Sequence, residues 1–102
     1  MAFLIYALDH EGKDERRESL REAHRAHLRS QGGKLLASGA LLADDGRTVI
    51  GGLSLLDAAS REEAEQFAAD DPYARAGIRK TTQVLVWRKR WFDGVFLGEK
   101  NG

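Results

Sequence analysis

The first strand-like segment of this chain is apolar on both of its faces. Between Phe3 and Leu8, one set of alternating positions is Phe3, Ile5 and Ala7, and the other set is Leu4, Tyr6 and Leu8. Alternate side chains of a strand point to opposite sides of a sheet, so this strand has to be covered on both sides. The segments 48–56 and 81–87 also carry large apolar residues at both sets of positions. The chain therefore has to cover both faces of a sheet.

Helical spacing follows the first strand from about Asp14 to Gln31. One side of this predicted helix is a stripe without Asp, Glu, Lys or Arg, and the other side is charged. The stripe consists of Leu20, Ala23, His24, His27, Leu28 and Gln31. Gly32 and Gly33 predict the end of the helix, since glycine tolerates the left-handed conformation common at that position.

A capping box predicts the start of a second helix. Ser60 is followed three residues later by Glu63, so the serine oxygen can accept from the Glu63 backbone N–H. Pro72 disfavours a helical conformation at the residue before it, and this ends the helix near Asp70. Strands are predicted over 34–42, 48–56 and 81–87. The element order is strand, helix, strand, strand, helix, strand.

This order predicts an α+β fold, a ferredoxin-like βαββαβ sandwich with a four-stranded antiparallel sheet and two helices on one face. We expect one domain over residues 1–97 and a flexible tail over 98–102. The second face of the sheet would stay exposed in a single chain, and so large an apolar patch predicts a homodimer. The alternative is that Trp91 to Leu97 folds back over that face.

Charge and cysteine content exclude several classes of function. Sixteen Lys and Arg balance sixteen Asp and Glu, so no net charge favours binding to nucleic acid or to an anionic membrane. The absence of cysteine excludes a thiol nucleophile and cysteine-ligated metal centres. The apolar run from Ala2 to Leu8 is too short to span a bilayer and has no basic segment before it. We therefore expect a cytoplasmic protein without membrane contact.

Two histidines lie on the stripe of the first predicted helix. His24 and His27 are three residues apart, a spacing from which two imidazoles can bind one metal ion. The sequence supplies no cysteine and no evident third ligand, so we expect no metal site. The alternative interpretation is that one or both histidines pack half-buried with a backbone partner.

A second candidate feature is the turn from Asp70 to Tyr73 after the second helix. Asp before Pro is common in turns, and Tyr73 could anchor such a turn to the core. The functional interpretation is that a carboxylate here orients an imidazole from the first helix, which lies alongside in this topology. Such a pair would serve as a general acid and base near neutral pH.

These residues together resemble the YciI-like (YCII-related) family of small bacterial proteins. The resemblance extends over roughly residues 2 to 92 and rests on the order and spacing of several short segments. The segments are Arg21-x-x-His24-x-x-x-Leu28, Gly33 to Gly39, Ser60 to Ala64 with Phe67, Asp70 to Tyr73, and Val84-x-Val86.

The resemblance implies a dimeric α+β barrel with a pocket between helices and sheet. A histidine and an aspartate form a dyad in that pocket, and by position these are His24 and Asp71. The characterised activity of the family is cofactor-independent dehydrochlorination of a chlorinated hydroxyquinol. We therefore expect no cofactor and a small-molecule substrate, with His24 moving a proton and Asp71 orienting it.

Four further residues are candidate contacts to that substrate. Tyr6, Ser38 and Tyr73 could supply hydrogen bonds, and His27 is expected to line the pocket or to pack beside it. The function so predicted is a cofactor-independent enzyme of the dehydrochlorinase, isomerase or lyase type, acting on a small cyclic or aromatic molecule. The alternative is a non-catalytic dimeric module that binds a small ligand.

Overall fold

The computed structural model describes residues 1–98. It contains a four-stranded antiparallel sheet, two long helices, a one-turn helix and a carboxy-terminal hairpin. The elements are β1 (Ala2–Asp9), α1 (Asp14–Arg29), a 3₁₀ turn (Gly32–Lys34), β2 (Leu35–Leu42), β3 (Val49–Asp57), α2 (Arg61–Asp70), α3 (Pro72–Arg75), β4 (Arg79–Trp87), β5 (Trp91–Phe92) and β6 (Val95–Phe96).

The sheet has the strand order β2-β3-β1-β4, and α1 and α2 pack on one side of it. The core contains Phe3 and Ile5 of β1, Leu56 of β3, and Ala64 and Phe67 of α2. Leu28 of α1 packs against the same cluster. The predicted ferredoxin-like α+β sandwich is therefore confirmed.

Strand β1 occupies the centre of the sheet, with β3 on one side and β4 on the other. Phe3, Ile5 and Ala7 are buried on the helix side. Tyr6 alternates with them and therefore points to the opposite side, which we call the helix-distal face. A Cβ at Gly51 of β3 would lie 2.0 Å from the Ala7 carbonyl oxygen. The backbones of β1 and β3 thus approach too closely at Gly51 for any side chain.

Two boundaries differ from the sequence prediction. Helix α1 ends at Arg29 instead of Gln31, because the Gln31 N–H donates to the Leu28 carbonyl three residues back and the chain continues as a 3₁₀ turn. Strand β4 begins at Arg79 instead of Thr81, because Arg79 pairs with Asp9 at the end of β1. The predicted cap of α2 is confirmed, since the Ser60 hydroxyl accepts from the Glu63 N–H at 3.2 Å.

The carboxy-terminal hairpin partly covers the helix-distal face. Phe92 lines an apolar cavity of about 340 Å³ on that face together with Leu4, Leu55 and Trp87. The covering is incomplete, because Leu85 remains 47% exposed. The fold-back of this segment, which the sequence left as an alternative to a dimer, therefore occurs only in part.

Most of the predicted tail, 98–102, lies outside the described residues, with Gly98 as the exception. Over residues 1–98, no helix has both the length and the apolar character required to cross a bilayer.

Candidate active site

Helix α1 and the turn between α2 and α3 bring His24 and Asp71 together. The His24 Nδ1 atom lies 2.8 Å from Asp71 Oδ1. Asp71 is held in place by its own turn, because its ψ of 127° suits a residue before proline and the same Oδ1 accepts from the Tyr73 N–H at 3.0 Å. Pro72 occupies the first position of α3, where no backbone N–H is needed. The Asp-Pro-Tyr sequence thus aims the carboxylate at α1.

The Asp71 carboxylate is ionised and defines which nitrogen of His24 carries a proton. Burial raises the pKa of Asp71, but the hydrogen bonds from His24 and from the Tyr73 N–H outweigh it. Together with the nearby positive charges, they hold the pKa below its ordinary value of 3.8. An ionised carboxylate only accepts, so His24 Nδ1–H donates. Within residues 1–98 the Nε2 atom has no hydrogen-bond partner.

Tyr73 stacks on the imidazole of His24. The ring centroids are 4.1 Å apart and the planes differ by 12°. The Tyr73 side chain is buried, and its hydroxyl donates to the Arg17 carbonyl at 3.4 Å. The prediction that Tyr73 donates a hydrogen bond to substrate does not fit this geometry. Tyr73 instead holds the plane of the His24 ring.

A cleft of about 280 Å³ lies between α1 and the sheet beside His24. It is polar on its sheet side, where the hydroxyls of Ser38 and Ser54 lie 2.8 Å apart. Its lining is formed by Arg17, His24, Arg25, Leu28, Ser38, Gly39, Ala40, Gly51, Gly52, Leu53, Ser54 and Arg79. Ser38 therefore lines the same cleft as His24.

His27 and Tyr6 lie away from this cleft. His27 Nε2–H donates to the Phe67 carbonyl at 2.8 Å, and its ring stacks on Phe67 with centroids 5.0 Å apart. The half-buried packing with a backbone partner is thus the correct interpretation for His27, and its placement among the substrate contacts is not supported. Tyr6 points to the helix-distal face, on the other side of the sheet.

Among residues 1–98, no three His, Asp or Glu side chains form a metal-ligand cluster.

Three charged residues behind the His24–Asp71 pair were not predicted from the sequence. Asp9 forms ion pairs with both Arg17 and Arg79, and its own side chain is only 3% exposed. Arg79 also reaches Asp71 Oδ2 at 3.4 Å. The guanidinium carbon of Arg17 lies 4.5 Å from the centroid of the Tyr73 ring. His24 and Asp71 are therefore one end of a buried network of alternating charges.

A sequence signal for this network exists at Asp9. It is the first charged residue after an apolar strand, and antiparallel pairing of the first and last strands brings it opposite Arg79. Such a pairing can be read only when the register of the two strands is known. The sequence alone does not provide that register.

Known proteins with similar sequences and structures match this chain over most of its length. The model of the YCII-related domain matches residues 1–88. The proteins named YciI from Escherichia coli O6:H1 and Shigella flexneri are each 32% identical to it over 96 residues, which cover 87% of this chain and 98% of each relative.

A solved structure with a similar fold is the 5-chloro-2-hydroxyhydroquinone dehydrochlorinase TftG from Burkholderia phenoliruptrix AC1100, in complex with 2,5-dihydroxybenzoquinone. It superposes with a TM-score of 0.78 at 30% identity, covering 86% of this chain and 94% of that one. Together with the match of the domain model, these similarities show that the chain belongs to the YCII-related family.

Proposed function

We propose that the protein is an acid/base enzyme acting on a small hydroxylated ring compound, with His24 as the proton carrier and Asp71 as its orienting partner. The observation that carries this proposal is the pairing of His24 Nδ1 with an ionised Asp71 beside a cleft of about 280 Å³. The pairing leaves Nε2 with a lone pair and without a partner in residues 1–98. An imidazole held in this way is suited to general base catalysis.

The cleft supports a substrate of about one ring. Its volume is at the lower end of the range for small-molecule sites, about 300–1,000 Å³. The hydroxyls of Ser38 and Ser54 can exchange hydrogen bonds with ring hydroxyls, and Leu28 of α1 supplies apolar contact. The chlorinated hydroxyhydroquinone named for TftG is a compound of this class.

The chemistry requires proton transfers and, for a halogenated ring, the departure of a halide ion. Nε2 of His24 removes the proton of a ring hydroxyl, and the oxygen's electron pair forms a carbonyl. The displaced ring π pair then takes the proton from the imidazolium at a ring carbon, which gives the keto tautomer. A halide on that carbon can leave with its bonding pair while a second hydroxyl gives its proton to His24. The net change is loss of one hydrogen halide, without an external oxidant or reductant.

A screen of ring compounds tests this function. The wild-type protein is incubated with 5-chloro-2-hydroxyhydroquinone, related halogenated or hydroxylated benzenes, and small lactones, with halide release and the absorbance of quinone products as readouts. We expect turnover of at least one hydroxylated ring compound, unchanged by EDTA. Binding without turnover across the whole panel would contradict the proposal and favour the non-catalytic binding module.

We also propose that a second copy of the chain covers the helix-distal face. Leu85 and Trp87 of β4 are exposed there, and Trp91 of the hairpin, next to Phe92 in the chain, is 63% exposed. Monomeric proteins rarely leave an apolar area of this kind uncovered. A two-fold contact between the same faces of two copies would bury it and leave the cleft by α1 open.

The Leu85→Asp variant tests this assembly. At micromolar concentration the wild type is expected to sediment at twice the chain mass of 11.3 kDa, whereas Leu85→Asp is expected to sediment as a monomer because the charge would lie inside the interface. Val86→Asp is the matched control, since Val86 is exposed on the same strand but pairs with Phe3 on the helix side. A wild type that sediments as a stable monomer would contradict the dimer.

A further inference from the structure

The guanidinium of Arg79 lies between two carboxylates, directly behind the His24–Asp71 pair. Its Nη1 atom is 2.9 Å from Asp9 Oδ1, and its Nη2 atom is 3.4 Å from Asp71 Oδ2. The Arg79 side chain is 11% exposed. Because Arg79 occupies Oδ2 of Asp71, the other oxygen, Oδ1, is directed at His24.

Two further features of its surroundings fit the guanidinium to this position. The Tyr73 ring lies against it, with the guanidinium carbon 5.3 Å from the ring centroid. On β3, which β1 separates from β4, a Cβ added at Gly52 would lie 3.2 Å from Nη2 and 3.4 Å from Nη1 of Arg79. The backbone at Gly52 does not have a positive φ, so its conformation does not require glycine. The absence of a side chain at Gly52 instead leaves room for Arg79.

We propose that Arg79 is a positioning residue of the dyad and that Gly52 makes the space it needs. By binding Oδ2 of Asp71, Arg79 keeps Oδ1 aimed at Nδ1 of His24. The neutral imidazole is thereby held in the single tautomer that has its proton on Nδ1 and a bare Nε2 at the cleft. The catalytic benefit of this arrangement rests on the proposed function. The orientation of Asp71 by Arg79 does not depend on it.

Removing Arg79 loosens the carboxylate, which is then held only at Oδ1, by the Tyr73 N–H and by His24. Asp9 would keep Arg17 as a partner, whereas Asp71 Oδ2 would lose the only side-chain donor that it has within residues 1–98. The hydrogen bond from His24 would then compete with water and with a second carboxylate orientation. We therefore expect both tautomers of His24 to be populated.

Nitrogen-15 NMR of the histidine rings measures the tautomer of His24 directly when the spectra are recorded with the imidazole neutral. In the wild type, His24 is expected to show a protonated Nδ1 and a bare Nε2. In Arg79→Gln the two ring-nitrogen signals are expected to move towards each other as the tautomers mix. His27 is an internal reference, because its Nε2–H donates to the Phe67 carbonyl and its opposite tautomer should persist in every variant.

Gly52→Ala keeps the test decisive if loss of the buried arginine prevents folding. It retains every charge and displaces the guanidinium by a few tenths of an ångström, so the His24 signals should move in the same direction by a smaller amount. Gly39→Ala is the matched control, since Gly39 lies on the neighbouring strand β2, where it pairs with Leu53 and a Cβ meets nothing within 4 Å. The His24 signals should be unchanged in Gly39→Ala.

Three results would overturn the inference. The first is a His24 spectrum in folded Arg79→Gln that superposes on that of the wild type. The second is an unchanged His24 spectrum in Gly52→Ala. The third is a change in Gly39→Ala as large as that in Gly52→Ala. None of these NMR readouts depends on turnover. A wild type that is inactive on every ring compound would contradict the proposed function, whereas the spectra alone would decide the positioning role of Arg79.

Discussion

Replacing His24 with alanine is expected to lower kcat by about 10²–10⁴-fold on the ring compound that the wild type converts. The reason is that Nε2 of His24 is the group that takes the proton from the substrate hydroxyl and returns it at carbon. Steady-state kinetics on the purified variant, with KM determined separately, measure the loss. The fall should be in kcat, because the remaining cleft still binds the ring.

His27→Ala is the matched control for this loss. His27 lies on the same helix, three residues further on, and is also half-buried against an aromatic ring. Its Nε2–H is engaged by the Phe67 carbonyl, away from the cleft, so its removal should cost stability and leave kcat near that of the wild type. Equal losses of kcat in the two variants would contradict the assignment of His24 as the proton carrier.

Replacing Asp9 with alanine is expected to lower the free energy of unfolding by about 3–5 kcal/mol. Asp9 is the common partner of Arg17 and Arg79, and all three side chains are largely buried. The variant would leave the buried guanidinium groups of Arg17 and Arg79 without the carboxylate that both of them pair with. Urea denaturation at one fixed protein concentration measures the difference from the wild type. The slope of the unfolding free energy against urea concentration, m, should be the same for both proteins.

An exposed ion pair supplies the comparison for this loss. Glu65 pairs with Arg61 one turn away on α2, and both side chains are about half exposed. Glu65→Ala is expected to cost less than about 0.5 kcal/mol, because solvent screens such a pair. If Asp9→Ala cost no more than Glu65→Ala, the buried network would contribute nothing to the stability of the fold.

The fold could be predicted from local patterns because its signals are short-range. Ser60 and Glu63 mark the start of α2, and Pro72 marks both the end of α2 and the first position of α3. His24 could be placed on the inward stripe of α1 from helical spacing alone. The side to which Tyr6 points could also have been read from the alternation along β1, which separates it from Ile5.

The charged network and the roles of the two histidines depend on long-range geometry. Arg79 is 70 residues from Asp9 along the chain, and only the register of β1 and β4 brings the two together. His24 and His27 lie on nearly the same face of α1, so helical spacing does not show which one meets Asp71, and the choice of His24 came from the family resemblance alone. The position of α1 along α2 decides this, because it brings His27 to the Phe67 carbonyl and His24 to the turn after α2.

The most direct test of the His24–Asp71 dyad is a double-mutant cycle on kcat. The rates of His24→Ala, Asp71→Asn and the combined variant are compared with that of the wild type on the same substrate. If Asp71 acts through His24, Asp71→Asn alone should slow turnover, and adding it to His24→Ala should cause no further loss. If the two losses multiply in the combined variant, the residues act independently and the dyad does not exist as a catalytic unit.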